Sequence, residues 1–271
     1  MRVVVCVKHV PDIQSPRSLG EDGRLVRGGD DDTLNELDED ALEAGLRTAE
    51  AAGFPGEGHD VTVLTVGPAH AVEALRRGLA MGASGAVHVS DGAVAGSDAI
   101  ATARVLAAAV AKLHAESPVD LVVAGMAGLD GLTSLVPAAL AELLGWPQLT
   151  LADEITVTDG PDGRVVRVQR ETSTDVEVLT APAPAVLSVT DQAFRPRFPN
   201  FKGIMAARKH PVTVWTLADL GVDPATVGAD GSTTRVVTAQ PRPERPDRVL
   251  VTGDAETVPA LVDYLSQKGF A

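Results

Sequence analysis

The chain holds one cysteine, Cys6, in 271 residues. A lone thiol excludes an internal disulfide framework and a thiolate metal cluster. Aromatic residues are scarce as well, at 3 %. No stretch approaches the about 18 consecutive apolar residues that mark a transmembrane helix, so no membrane insertion is expected. The opening Met1-Arg2-Val3-Val4-Val5-Cys6-Val7 runs straight into an apolar segment and lacks the cleavage site of a signal peptide. The expectation is a cytoplasmic protein. Basic residues are outnumbered, and the formal net charge of −14 argues against nucleic acid as a partner, because binding phosphate backbones requires clustered Lys and Arg.

Signatures of chemistry are equally sparse. The histidines are scattered without a His-x-x-x-His pair, serine lies in no G-x-S-x-G elbow, and neither G-x-x-x-x-G-K-[ST] nor G-x-G-x-x-G occurs. Cys6 sits inside an apolar run, which suits a buried, inert thiol better than a nucleophile. The sequence therefore predicts no catalytic residue and no metal site. It reads as a binding protein whose partner brings the chemistry.

What is present is an alternation of strands and helices. Val3 to Val7, Val61 to Val66, Ala86 to Val89 and Val119 to Ala124 are short β-branched runs, as expected of strands buried on both faces. Between them, Leu34 to Ala49, Val72 to Leu79 and the Ala-rich stretch from Ser97 to His114 have helical spacing, with Gly82 closing the second helix and Ser97 expected to cap the third. This rhythm predicts an α/β fold with a doubly wound parallel sheet. From about residue 150 it gives way to a hairpin signal around Asp159-Gly160-Pro161-Asp162-Gly163-Arg164, followed by strands at Val176 to Leu179 and Ala185 to Val189. Thr190 to His210 has no period, Val212 to Trp215 reads as a strand, and 224–250 reads as an extended arm before a short amphipathic helix containing Val258, Leu261, Val262 and Leu265.

Two loops leave the carboxyl ends of predicted strands, where open α/β sheets bind ligands. One begins at Lys8-His9-Val10-Pro11-Asp12 and continues through a long irregular stretch. The other is Gly125-Met126-Ala127-Gly128-Leu129-Asp130-Gly131-Leu132-Thr133-Ser134, which opens a helix at Val136-Pro137. Its glycines, hydroxyls and helix N-terminus suit a phosphate, and they equally suit a capped turn. Asp130 would repel phosphate but fits a ribose hydroxyl or a backbone turn. A third segment, Phe194 to Met205, gathers three of the five phenylalanines among Arg, Lys and Pro. Such residues are enriched in protein–protein hot spots, though the rings could also pack into their own domain.

Taken in order, several pieces resemble one family: Val5-Cys6-Val7-Lys8-His9-Val10-Pro11-Asp12, Leu34-Asn35-Glu36-Leu37-Asp38, Val66-Gly67-Pro68-Ala69, Leu79-Ala80-Met81-Gly82-Ala83, Asp130-Gly131, Leu144-Gly145-Trp146-Pro147-Gln148, Arg170-Glu171, Pro184 to Ser188, and Pro196-Arg197-Phe198 through Ala207. Over about the first 220 residues the chain is similar to β subunits of electron transfer flavoproteins. The resemblance implies an adenine-nucleotide-hydrolase-like sheet with a β-hairpin extension and a C-terminal arm. Residues 1–190 would form the nucleotide-binding core with its strand extension, 191–210 the recognition loop, and 211–271 a strand, arm and helix contacting the partner subunit. It also implies an electron carrier without catalytic residues, paired with an α subunit that holds FAD. Electrons would come from flavin dehydrogenases such as acyl-CoA dehydrogenases and go to a quinone oxidoreductase or another acceptor.

On this resemblance AMP or a second FAD would touch Cys6, Asn35, Glu36, Leu37, Asp38, Val66, Gly125, Gly128, Asp130, Gly131, Thr133, Ser134 and Val136. Glu171 would lie near the partner's flavin. Arg197, Phe198, Phe201, Ile204 and Met205 would recognise the dehydrogenase, with Phe201 as the anchor. Leu132 and Leu135 stand where the family usually has polar residues. The competing reading is a stand-alone ATP-binding protein of the universal-stress type, whose G-x-x-G is begun by Gly125 and Gly128 but whose second Gly-Ser or Gly-Thr is here Ala138-Ala139.

Overall fold

Alternation along the first strand sets the layers. In β1 (Arg2–Cys6), Val3 and Val5 point to one side and Val4 and Cys6 to the other, and all four are buried. A sheet buried on both faces needs helices on both, and the computed structural model supplies them. It describes residues 1–161, 163–240, 242–243, 250, 253 and 257–270, in two compact units, Met1–Val237 and Thr238–Ala271.

After β1 come β2 (His9–Pro11), β3 (Asp32–Leu34), α1 (Glu36–Ala51), β4 (Asp60–Val66), α2 (Val72–Met81), β5 (Gly85–Val89), α3 (Ala99–Glu116), β6 (Leu121–Gly125) and α4 (Val136–Leu144). The second half holds β7 (Gln148–Ala152), β8 (Glu154–Gly160), β9 (Gly163–Glu171), β10 (Val176–Pro182), β11 (Ala185–Val189), α5 (Phe201–Lys209), β12 (Thr213–Trp215), α6 (Leu217–Leu220) and α7 (Gly228–Gly231). In the second unit lies α8 (Thr257–Gln267).

Seven strands form one parallel sheet in the order β12-β5-β4-β1-β6-β11-β7. Leu42 and Leu46 of α1 and Leu75 of α2 join Val3 and Val5 in one core. Val105 and Val110 of α3 and Leu140 of α4 join Val4 in the other. The fold is thus the doubly wound α/β sheet expected. Its winding runs from β1 outward to β4 and β5, then reverses to β6 on the other side of β1. That reversal is the topological switch point, and the carboxyl ends of β1 and β6 face it.

The structure corrects several expectations. Ala185 to Val189 does not belong to the hairpin extension; all five residues are buried and β11 inserts between β6 and β7 in the central sheet. The predicted hairpin is present as β8 and β9, and β10 adds a third antiparallel strand to it, in the order β10-β9-β8. The long first loop contains a two-stranded ribbon, β2 against β3. The cap of α3 is Asp98, not Ser97: its carboxylate accepts from Ala101 N–H at 2.8 Å. The segment 190–210 is not wholly irregular, because Asn200 Oδ1 accepts from Gly203 N–H at 2.8 Å and starts α5. Finally, the arm begins later than 224. A 3-10 turn (Pro224–Thr226) and α7 precede it, and Asp98 also binds the N–H and hydroxyl groups of Thr233 and Thr234. Burial alone would raise the Asp98 carboxyl, but the Ala101 amide and these two threonines hold it at about 2.

Candidate functional site

A cavity of about 970 Å³ opens at the switch point, at the upper end of the roughly 300–1,000 Å³ usual for ligand sites. Cys6 and Lys8 at the end of β1, Val66 to Ala69 at the end of β4, Ser90 to Gly92 with Val94 to Ile100, and Ala124 to Gly128 with Asp130 to Pro137 from the end of β6 line it, together with Arg24, Arg27, Thr234 and Val236. Of the expected nucleotide-site residues it brings together Cys6, Asp38, Val66, Gly125, Gly128, Asp130, Gly131, Thr133, Ser134 and Val136. Asn35, Glu36 and Leu37 are not part of its lining.

Asn35 and Asp38 work from beneath. Asn35 is fully buried; its Nδ2 donates to Ala127 C=O at 2.9 Å and its Oδ1 accepts from Leu129 N–H at 3.0 Å. The Asp38 carboxylate accepts from Lys8 N–H at 2.8 Å and Gly125 N–H at 3.3 Å, joining the ends of β1 and β6. Gly125 has to be glycine here, since a Cβ would stand 2.6 Å from Asp38 Oδ1 and from Leu37 C=O. Burial pushes the Asp38 carboxyl up to about 7, against its hydrogen bonds. Burial also pushes the Cys6 thiol up to about 12, so it stays protonated and unreactive.

The loop over this support has an unusual backbone. Leu132 and Ser134 have φ of 50° and 51°, left-handed values unusual for residues other than glycine. Such turns direct successive N–H groups into a shared concavity, and this strain sits at the cavity wall. Beyond it, no side chain caps the N-terminus of α4, so its first amides and the positive end of its dipole face outward. Thr133 and Ser134 therefore lie before the helix, not in its first turn.

Asp130, which seemed unsuited to phosphate, carries its own neutralisation. Its side chain is fully buried, and it pairs with Lys8 Nζ at 2.7 Å and Arg27 Nη2 at 2.6 Å. Burial would raise its carboxyl, but these two cations hold it below the usual range. One carboxylate thus anchors two positive groups, leaving that three-residue cluster one positive charge in excess. Sequence reasoning missed Arg24 and Arg27 as site residues, although both fall in the long first loop. Leu132 and Leu135 are exposed beside them.

The remaining expected residues lie elsewhere. Glu171 is exposed at the end of β9, where its N–H donates to Asp153 at 2.8 Å, and it is not part of the cavity lining. Phe198 and Phe201 are 91 % and 78 % exposed, and Ile204 and Met205 stand partly exposed on α5. Arg197 points inward instead, onto Glu43 and Glu50 of α1.

The geometry is that of a doubly wound α/β sheet with a cavity at its switch point, and relatives give the family. The family model for the electron transfer flavoprotein domain matches residues 22–220. The chain is 41% identical over 264 residues, 97% of each chain, to the electron transfer flavoprotein subunit beta of Mycobacterium tuberculosis (strain ATCC 25618 / H37Rv). The chain belongs to the electron transfer flavoprotein family. It is also 34% identical over 270 residues, 99% of each chain, to subunit CarD of the caffeyl-CoA reductase-Etf complex of Acetobacterium woodii. Identity to the subunit beta of Megasphaera elsdenii is 33% over 271 residues, 99% of this chain and 97% of that one. Within the family it is similar to beta subunits, and the universal-stress reading is not favoured. No helix among the described residues is long and apolar enough to cross a membrane.

Proposed function

We propose that this chain is the β subunit of a heterodimeric electron transfer flavoprotein, and that its cavity holds the phosphate-bearing part of an adenine nucleotide, AMP or a second FAD. The observation that carries the nucleotide assignment is the left-handed pair Leu132 and Ser134, set before the uncapped α4 and beside the Lys8–Asp130–Arg27 cluster. Backbone N–H groups and two anchored cations would take the phosphate. Gly125 and Gly128 let the loop lie directly against Asp38 and Asp130, which hold it in place.

A flavin on the α subunit would supply the redox chemistry. This chain's residues would orient the carrier and select its donors. Phe198 and Phe201 present two large rings to solvent on a segment held to α1, which suits docking of a flavin dehydrogenase such as an acyl-CoA dehydrogenase. A quinone oxidoreductase or another acceptor would receive the electrons. Glu171, on the separate antiparallel sheet, is proposed to face the partner's flavin. In the second unit, Val258, Leu261 and Val262 of α8 are all exposed, an apolar stripe suited to the α subunit. Co-expression with the α subunit tests the reading: a stable complex with flavin absorbance is expected, and its absence would sink it.

A further inference from the structure

A second cluster lies outside the cavity. His9 of β2, Asp32 of β3 and His70 of the 3-10 turn Ala69–Ala71 bring their ligand-type atoms within 4.8 Å of one another. The β2–β3 ribbon sets two of them, pairing His9 with Leu34 and Pro11 with Asp32. Gly28, at φ +88°, lets the chain lie against the His70 ring, where a Cβ would stand 3.1 Å from Cε1. The His9 and His70 rings stand 5.5 Å apart between centroids, tilted by 58°.

The His9 side chain is 8 % exposed, and its Nδ1 is buried without a hydrogen-bond partner, 3.8 Å from Asp32 Oδ2. Leaving a buried ring nitrogen unpaired costs about 1–3 kcal/mol, so the site asks for a ligand that accepts its lone pair. Asp32, 2 % exposed at its side chain, is fixed by Gly28 N–H at 2.8 Å, the outer support that metal-binding carboxylates usually have.

We infer that His9, Asp32 and His70 form a binding site for one borderline divalent transition ion such as Zn²⁺. Two imidazoles and one carboxylate are a common donor set for such ions, with further positions left to water. At bond lengths of about 2.1 Å the donors of a tetrahedral site stand about 3.4 Å apart, so closure needs shifts of about 1 Å. His70 is exposed and can make them. The ion would tie the first loop to the turn after β4. Because that loop delivers Arg27 to Asp130, the clamp would hold one wall of the nucleotide cavity.

The test titrates the untagged full-length chain with Zn²⁺ by calorimetry and with Co²⁺ by visible absorption. One ion per chain is expected, with a Co²⁺ spectrum of nitrogen–oxygen ligation. His70→Ala, at an exposed position, should weaken binding about tenfold or more without changing the metal-free unfolding midpoint, and His9→Gln should do the same to binding. His210→Ala, a remote exposed imidazole, should leave it unchanged. No saturable site in the native chain, or unaltered binding in both His70→Ala and His9→Gln, overturns the inference.

Discussion

The Arg197 guanidinium grips Glu43 with two of its nitrogens, Nε to Oε2 at 2.7 Å and Nη2 to Oε1 at 3.2 Å, although Glu43 is only 1 % exposed. Its other edge reaches Glu50 about two turns further along α1, at 2.6 Å. The segment bearing Phe198 and Phe201 is therefore fastened to the core by this ion pair and by Phe194, which packs against the core, while Phe198 and Phe201 stay outside. Arg197→Ala should leave Glu43 with only Arg47 among these cations, costing about 1–3 kcal/mol of stability. Arg197→Lys should recover only part, since an ammonium cannot make the fork. Denaturant unfolding measures both, and an unchanged midpoint in Arg197→Ala would show that the clamp holds nothing.

Phe201 sits on the outer side of that clamp, 78 % exposed. Phe201→Ala should leave folding and complex formation intact, within about 0.5 kcal/mol. Electron acceptance from a flavin dehydrogenase should slow by tenfold or more. Stopped-flow reduction of the complex checks this, and native rates would remove the anchor role.

Asp130 organises charge instead of contributing it. Asp130→Asn would release Lys8 and Arg27 from their shared carboxylate. Nucleotide retained by the purified protein should fall about tenfold with the circular dichroism spectrum unchanged. Better retention in Asp130→Asn would mean that the carboxylate repels the ligand and that the cations act unaided.

Buried carboxylates predict an unusual pH profile. Asp38 and Asp40 are pushed up to about 7 and about 6, the latter by burial and then by Asp191, Glu39 and Glu36. With folded values above ordinary ones, the native state holds more protons than the unfolded chain between about pH 4 and 7, so stability falls as pH rises through that window. Asp98 and Asp130 are lowered and act oppositely, their contribution being lost as pH falls below about 4. Maximal stability is expected near about pH 4, and Asp40→Asn should flatten the alkaline fall. Thermal unfolding across pH checks both, and stability still rising from pH 5 to 8 would contradict them.

The first half of the fold was legible because its strands and helices are local patterns. Runs such as Val3-Val4-Val5 can only be buried on two faces, and Gly82 ends its helix at φ 129°. Places in the sheet were less legible. Ala185 to Val189 reads as a strand, but nothing nearby says that it pairs with β6. The helix α5 escaped notice because Ala207 is its one buried residue, so no apolar period marks it. The glycine loop was legible as a phosphate candidate. Its charge balance was not, because Lys8 and Arg27 meet Asp130 across 122 and 103 residues of sequence. The His9–Asp32–His70 cluster was hidden for the same reason.

The most direct test is to purify the chain with its α subunit, establish the stoichiometry, denature the complex and identify what is released. A one-to-one complex that releases FAD together with a further adenine nucleotide, AMP or a second FAD, is the predicted result. A homodimer of this chain that retains ATP and binds no flavoprotein subunit would contradict the account.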